Sequence, residues 1–446
     1  MNPTSYLSEY KSLFRLGFPV LITQLGIILV SFFDTAMVGA YGVDELASAA
    51  FVNSVFMIPV VMQIGFAQGT TPLVGTLYGR GESEAIGGML RSGLTVNFIL
   101  STIFTLIMGA LFFFVGSMGQ PEELIPIIRP YYLVILASLI PMAVFNVCQQ
   151  TCNGLTDTAT PMWVMIGSNV INIAGNYILI FGHWGAPELG LLGAGLSTLL
   201  SRVAAALAML IILGRAPRFR SYWLAARRAR DMAPQRRLMW KTSLPVMVQS
   251  GFEVALWSGG AVVCGWFGKI QLASYQVVNT IAQLGFMIFL SFGVATSVRV
   301  SNYTGQGDIS GVRRITVAGL HINLILATLA CLLFYFCGHD LAHIFTPDPE
   351  VIAAASLLIP PLILYQYGDA IQLTYANALR GTSWVNPLMI VSIVAYCVVG
   401  LPLLYFMGVT LGMHNVGIYY SFSVSLFLAA AMLYLFFRHR LKRMQQ

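Results

Sequence analysis

The chain has 446 residues, 57% of them apolar and only 9% charged, where an average soluble domain carries about 25% charged residues. So few charges cannot cover a water-soluble surface, which excludes a soluble enzyme or a soluble binding domain. The formal net charge of +7 does not point to nucleic acid, because the basic residues sort by side of a membrane instead of forming one patch.

The first element is an apolar block at residues 16–33 with no charge in it, preceded by Glu9, Lys11 and Arg15. It is too long for a cleaved signal peptide, and no small-residue cleavage site follows it. Residues 94–120 are likewise free of charge. Apolar stretches of about 18 residues or more read as membrane-spanning helices. Twelve spans are predicted, at residues 13–40, 46–77, 88–117, 126–152, 160–183, 190–214, 239–267, 272–303, 313–338, 351–379, 385–408 and 414–437. Pro19, Pro59, Pro141, Pro245, Pro360 and Pro361 fall inside spans, where each removes one backbone hydrogen bond and kinks the axis.

With the N-terminus in the cytoplasm, twenty Lys and Arg residues lie inside, Arg80, Arg91 and Arg380 among them, and only Arg129 and Lys269 outside. This positive-inside asymmetry places both termini in the cytoplasm of a bacterial-type inner membrane and supports an even number of helices. Nine of the twenty lie at residues 215–241, in and beside the central linker. They read first as a topology signal and second as a contact with anionic lipid, at about 1 kcal/mol per charge. The six cysteines all fall in spans with no CxxC pair, as buried free thiols do.

The two halves repeat at a constant offset of 226 residues: Pro19 with Pro245, Asn53 with Asn279, Pro121 with Pro347, Pro161 with Pro387. The predicted fold is therefore an all-α polytopic membrane protein, with 12 transmembrane helices in two pseudo-symmetric six-helix bundles. Residues 1–214 form an N-terminal lobe (helices 1–6), 215–238 a basic cytoplasmic linker and 239–446 a C-terminal lobe (helices 7–12). Six helices return the chain to its starting side, so the repeat is parallel, an architecture suited to alternating access.

Three carboxylates lie inside spans: Asp34 in the first, Glu253 in the seventh and Asp369 in the tenth. Each costs about 2.5–3.5 kcal/mol at a helix centre and therefore needs a partner or a water-filled cavity. At 1.5 Å rise per residue, Glu253 lies about 20 Å and Asp369 about 17 Å from the inner end of its helix, so one site can hold both. Tyr365 precedes Asp369 by four residues and shares its face, giving an oxygen-rich set for a hard cation or a proton. Asn172 and Asn176, also four apart, are candidates to line an N-terminal site with Asp34. Pairing of the acids with Arg202 and Arg299 is the structural alternative. At the repeat offset the acids map to Gly260, Ile27 and Ala143, so they are not shared scaffold. A chain with 28 Phe, 20 Met, 19 Tyr and 7 Trp can offer a soft aromatic cavity to flat, apolar cations. Trp257, one turn from Glu253, is its nominated member.

The motif Asp34-Thr35-Ala36-Met37-Val38-Gly39, the stretch Asp369-Ala370-Ile371-Gln372 with Ala378-Leu379-Arg380-Gly381, and Asn153-Gly154 with Thr160-Pro161 resemble the multidrug and toxic compound extrusion (MATE) family, in its NorM-like branch. The resemblance covers essentially the whole chain. It implies efflux of cationic or amphipathic drugs and dyes by antiport with Na⁺ or H⁺, with no other cofactor. It implies a C-lobe cation site at Glu253, Tyr365 and Asp369, able to hold Na⁺. It also implies an N-lobe site at Asp34, Asn172 and Asn176, with Thr198 as a further member. The expected partners are small-molecule drugs and dyes, Na⁺ or H⁺ and the lipid bilayer; no nucleic acid is expected, and the chain is expected to be a monomer.

Three other readings compete. A flippase for a lipid-linked precursor could use the same duplicated lobes but would need positive groups in its cleft. An enzyme is disfavoured, since the sequence has no GxSxG, no HExxH and no histidine near the three acids. A channel would need a pore-lining repeat that is not apparent.

Overall fold

A computed structural model describes residues 3–230, 232–345 and 347–446. Among the described residues there is no strand, as a bilayer demands of any spanning structure that is not a closed barrel. The spans, in order, are α1 (Pro3–Tyr41), α2 (Val43–Arg80), α3 (Ser83–Phe112), α4 (Glu122–Gly154), α5 (Ala159–Phe181) and α6 (Leu191–Arg215). After the linker come α7 (Ala233–Trp266), α8 (Lys269–Gln306), α9 (Ile309–Phe345), α10 (Pro349–Ser356 with Ile359–Gly381), α11 (Asn386–Thr410) and α12 (His414–Gln445). Among the described residues eleven are long and apolar enough to cross a membrane as they stand. The twelfth, α10, is bent by 50° at its break, just before Pro360 and Pro361.

Several helices outrun the predicted spans. α1 begins at Pro3, α7 at Ala233, and α12 runs on to Gln445. An apolar block marks where lipid ends, whereas a helix continues into water as long as its side chains permit. Lys11, Arg15, Arg236 and Arg443 are thus helical and exposed. The third span shifts toward the N-terminus, with Ser83–Phe112 helical and a short 3₁₀ turn at Val115–Ser117. α11 holds two π-helical segments, Ile393–Gly400 and Phe406–Thr410, on either side of Leu401–Tyr405. Pro402 lies between them, and wide turns of this kind accommodate the backbone groups a proline leaves unbonded.

The chain divides into two compact units, Ile22–Met247 and Met1–Leu21 with Val248–Gln446. The cuts fall inside α1 and α7. They lie 226 residues apart, and each follows a repeated proline, Pro19 or Pro245, by two residues. In the first unit one core cluster gathers Phe66, Leu90, Cys148, Cys152 and Met209. A second gathers Val52, Phe56, Tyr132 and Leu139, with the Tyr132 hydroxyl donating to the Met108 carbonyl at 2.7 Å. In the other unit Phe289, Ala327, Ala370 and Leu373 pack together. Large apolar side chains such as Leu106, Phe113, Ile325 and Phe336 stand exposed, which a soluble protein does not tolerate in such number.

The linker contains an amphipathic helix, Pro217–Arg228, with proline in its first turn and Phe219 and Ala226 buried. Its start is tied to the α4–α5 connection: Arg218 lies 2.6 Å from the Asp157 carboxylate. Asp157 in turn accepts from the Thr160 N–H at 3.1 Å, where α5 begins. Its other end lies against α3 at Gly87, where a Cβ would meet Ala225 Cβ at 2.5 Å and the backbone nitrogen of Ala226 at 2.6 Å. Backbone cannot yield as a side chain does. Gly87→Ala is therefore expected to destabilise the detergent-solubilised protein by about 1–3 kcal/mol, the range for overpacking, despite alanine's better helix propensity. Gly88→Ala, whose Cβ would meet only the side-chain ends of Met232 at 3.7 Å and Gln235 at 3.9 Å, is expected to be neutral or stabilising. Thermal unfolding of the two variants checks this, and equal melting temperatures would contradict it.

Candidate functional site

In the Ile22–Met247 unit, the four residues nominated for an N-terminal site form one chain of contacts. The spacing of Asn172 and Asn176 on α5 puts both amides on one face, and both are buried. Asn176 donates through Nδ2 to the Asp34 carboxylate and reaches Asn172 Oδ1 at 3.5 Å. Asn172 donates to the Thr198 hydroxyl at 3.3 Å, and Thr198 donates to the Ala194 carbonyl at 3.0 Å. Ser197 holds the Asn172 carbonyl at 2.6 Å, fixing α5 against α6. Arg202, one turn beyond Thr198, donates to Ser138 Oγ at 2.6 Å and acts electrostatically on Asp34 and Tyr131. The carboxylate thus has an amide donor and a nearby cation within its own unit.

The second set lies in the unit that contains Val248–Gln446. Tyr365 and Asp369 on α10 are 1% and 0% exposed, and Glu253 on α7 is half-buried. The two carboxylates act electrostatically on each other, and both act on the Tyr365 phenol. Among the described residues neither oxygen of Asp369 receives a hydrogen bond, nor does Glu253 Oε1. Trp257 packs edge-on to Tyr365, with ring centroids 5.1 Å apart, and lies 4.9 Å from Phe422. Its carbonyl accepts from the Tyr275 hydroxyl at 3.0 Å. It therefore forms part of an aromatic wall beside the acids.

Three members of this set escaped the sequence reading. Tyr396, in the first π segment of α11, and Tyr419 of α12 are buried with unbonded hydroxyls. Tyr396 acts electrostatically with both carboxylates. Nothing marked them among 19 tyrosines. Arg380, counted above as a cytoplasmic charge, is only 6% exposed. It donates to Gln249 Oε1 and Asn377 Oδ1, each at 3.3 Å, and its charge acts on Glu253. Its place in the Ala378–Gly381 motif was the available signal. Arg299, considered as a partner for the acids, is occupied elsewhere: it donates to the Tyr303 hydroxyl at 2.8 Å and lies 3.9 Å from Glu9. Two carboxylates with phenols around them form an all-oxygen donor set, which suits hard cations or protons over softer metals.

A family model described as MatE matches residues 19–178 and again 245–406. The chain belongs to the MatE family. The second match starts 226 residues after the first, the same offset at which the halves repeat. The sequence of this MATE chain is 28% identical over 405 residues to the multidrug resistance protein NorM of Aliivibrio fischeri, covering 91% of the chain and 88% of that protein. It is 29% identical over 409 residues to a probable multidrug resistance protein NorM of Oceanobacillus iheyensis, covering 90% of each. It is a MATE transporter of NorM-like type. In fold it is similar to the eukaryotic MATE transporter AtDTX14, with a TM-score of 0.89 at 17% identity, covering 98% of each chain. A MOP superfamily transporter from Pyrococcus furiosus gives 0.87 at 18% identity, covering 98% of this chain and 97% of that one.

Proposed function

We propose that this MATE transporter is a secondary active multidrug exporter. It moves cationic or amphipathic organic compounds out of the cell in exchange for Na⁺ or H⁺, by alternating access. It does so as a monomer in a bacterial inner membrane, with both termini in the cytoplasm. The observation that carries the coupling is Asp369, a fully buried carboxylate with no hydrogen-bond donor on either oxygen among the described residues. A charge in that setting demands a counter-ion or a proton. A partner that arrives from one side of the membrane and leaves on the other makes the site a coupling site. The NorM names of the two bacterial relatives support drugs as the cargo.

Glu253, Tyr365 and Asp369 are the proposed cation ligands, Na⁺ among the candidates. Asp34, Asn172, Asn176 and Thr198 form a second polar cluster that responds to the same cation or to substrate. Asp34 in one unit, and Glu253, Asp369 and Trp257 in the other, are the residues we assign to binding the organic cation. Binding of each partner must change the affinity for the other by the same factor. In the outward state the cation takes the carboxylates and drug departs; in the inward state drug returns as the cation leaves. A flippase would need free positive groups. Arg202 and Arg299 are instead engaged with Ser138 and with Tyr303, each inside its own unit.

The test is ethidium movement in proteoliposomes of the purified wild type under an imposed Na⁺ gradient in one set and an H⁺ gradient in another. Movement against the dye's own gradient under one of them, abolished by the matching ionophore, is expected and names the ion. Dye movement indifferent to both gradients rejects the antiport reading.

A further inference from the structure

The linker holds a feature that drug transport does not use. Where the linker helix ends, Arg227, Arg228 and Arg230 meet Arg91 of α3 and Arg236 of α7 around one open cavity of about 700 Å³. The cavity is a built one. Gly87 lets the linker helix approach α3 closely. Arg91 donates to the Ala229 carbonyl at 2.8 Å, and Met232, buried beneath, receives Ser92 Oγ at 3.7 Å. The first residue of α7, Ala233, opens on the same space.

Five guanidinium groups thus surround one space, and among the described residues none of the five is in an ion pair. The one acid in this stretch of sequence, Asp231, lies outside the described residues and could balance at most one of them. All five are exposed, so water and salt screen much of their repulsion, and a bound counter-anion would offset the rest. Guanidinium groups present paired N–H donors that match phosphate oxygens, and several of them can chelate one phosphate or two. The volume lies in the range of ligand-binding pockets. Leu224 and Leu238 flank this segment and are 40% and 45% exposed, as residues at the edge of the acyl region are.

We propose that this five-arginine cavity binds a phosphate-bearing anion at the cytoplasmic face, the headgroup of an anionic phospholipid or a soluble phosphate.

The measurement is native mass spectrometry of the full-length, detergent-purified protein titrated with phosphatidylglycerol, with phosphatidylcholine as the neutral control. A parallel thermal-shift titration uses inorganic pyrophosphate. Arg228, Arg230 and Arg236 make no hydrogen bond inside the protein among the described residues, so R228Q/R230Q/R236Q removes charge without removing support. A charge-matched control, R313Q/R438Q/R443Q, neutralises three exposed arginines outside the cavity. Saturable phosphatidylglycerol binding is expected, absent with phosphatidylcholine and weakened on the order of 100-fold in the cavity triple, about fivefold per arginine, while the control triple binds as wild type. Saturation by pyrophosphate without saturation by phosphatidylglycerol assigns the site to a soluble phosphate. The proposal is overturned if neither anion saturates the wild type, if the cavity triple binds as wild type, or if the control triple loses as much affinity as the cavity triple. Equal melting temperatures of the two triples confirm that folding is not the variable.

Discussion

Asp369→Asn is expected to lower gradient-driven drug efflux by roughly 5- to 150-fold, the span of a coupling free energy of 1–3 kcal/mol, while leaving the protein folded. The substitution keeps the size of the side chain, removes the charge and exchanges one acceptor oxygen for an amide NH₂ donor. Asp369 is 0% exposed with both oxygens unbonded, so a neutral amide is cheaper to bury there than a lone carboxylate. Melting temperature should therefore hold or rise as transport falls. That opposite movement separates a coupling residue from a structural one, whose loss would lower both. Glu253→Gln should act in the same direction but less, because Arg380 already acts on that carboxylate. The readout beyond rate is ion release on addition of drug, by a Na⁺ or pH electrode. Wild type should release the coupling ion and Asp369→Asn should not. Ion-coupled efflux at the wild-type rate in Asp369→Asn would remove this residue from the mechanism.

Arg380→Leu should have the largest effect on stability, a loss of about 3–5 kcal/mol, as when one partner of a buried charge pair is removed. The guanidinium donates to Gln249 and Asn377 and acts on Glu253. Taking it away leaves two buried acceptors and one carboxylate without compensation. The decisive comparison is the double variant Glu253→Gln with Arg380→Leu. If the two charges compensate each other, the double variant recovers part of the loss, and the cycle returns an interaction energy above about 0.5 kcal/mol. Strict additivity would mean that Arg380 does not compensate Glu253. Denaturant unfolding in mixed micelles measures each corner of the cycle.

The number of spans and the three intramembrane acids could be read from composition and spacing, because a bilayer imposes strong, local demands on both. The N-terminal cluster was within reach for the same reason: two asparagines at a four-residue spacing must share a helix face, and on α5 Asn176 meets the Asp34 carboxylate while Asn172 meets Thr198. What could not be read depends on how faces of different helices meet. Arg380 looks like any positive charge at the inner end of a helix until Gln249 and Asn377 are seen to enclose it. Glu9 looks like a surface charge ahead of an apolar block, yet it is 3% exposed and accepts from the Tyr303 hydroxyl at 2.7 Å. That contact joins residues 294 positions apart, and no local pattern encodes it. Tyr396 is drawn inward by a π-helical stretch that leaves no periodic trace in so uniformly apolar a segment.

The repeat position opposite Asp34 is packed in a way that opposes exchange. Gly260 stands where the repeat would place a second Asp34, and even a Cβ there would meet Phe422 at 2.5 Å and the Tyr275 hydroxyl at 3.0 Å. Phe422 in turn lies against Trp257. Ala143, the counterpart of Asp369, is 1% exposed, and Ile27, the counterpart of Glu253, is 44% exposed among apolar neighbours. A gene-conversion event copying the Asp34 motif of α1 onto α7 would push Phe422 and the tryptophan it supports away from the acids. The ancestral sameness of the halves is thus closed to re-homogenisation. Each half is entrenched by its own packing, and the chain must now evolve as two partners that share a pedigree but can no longer trade parts.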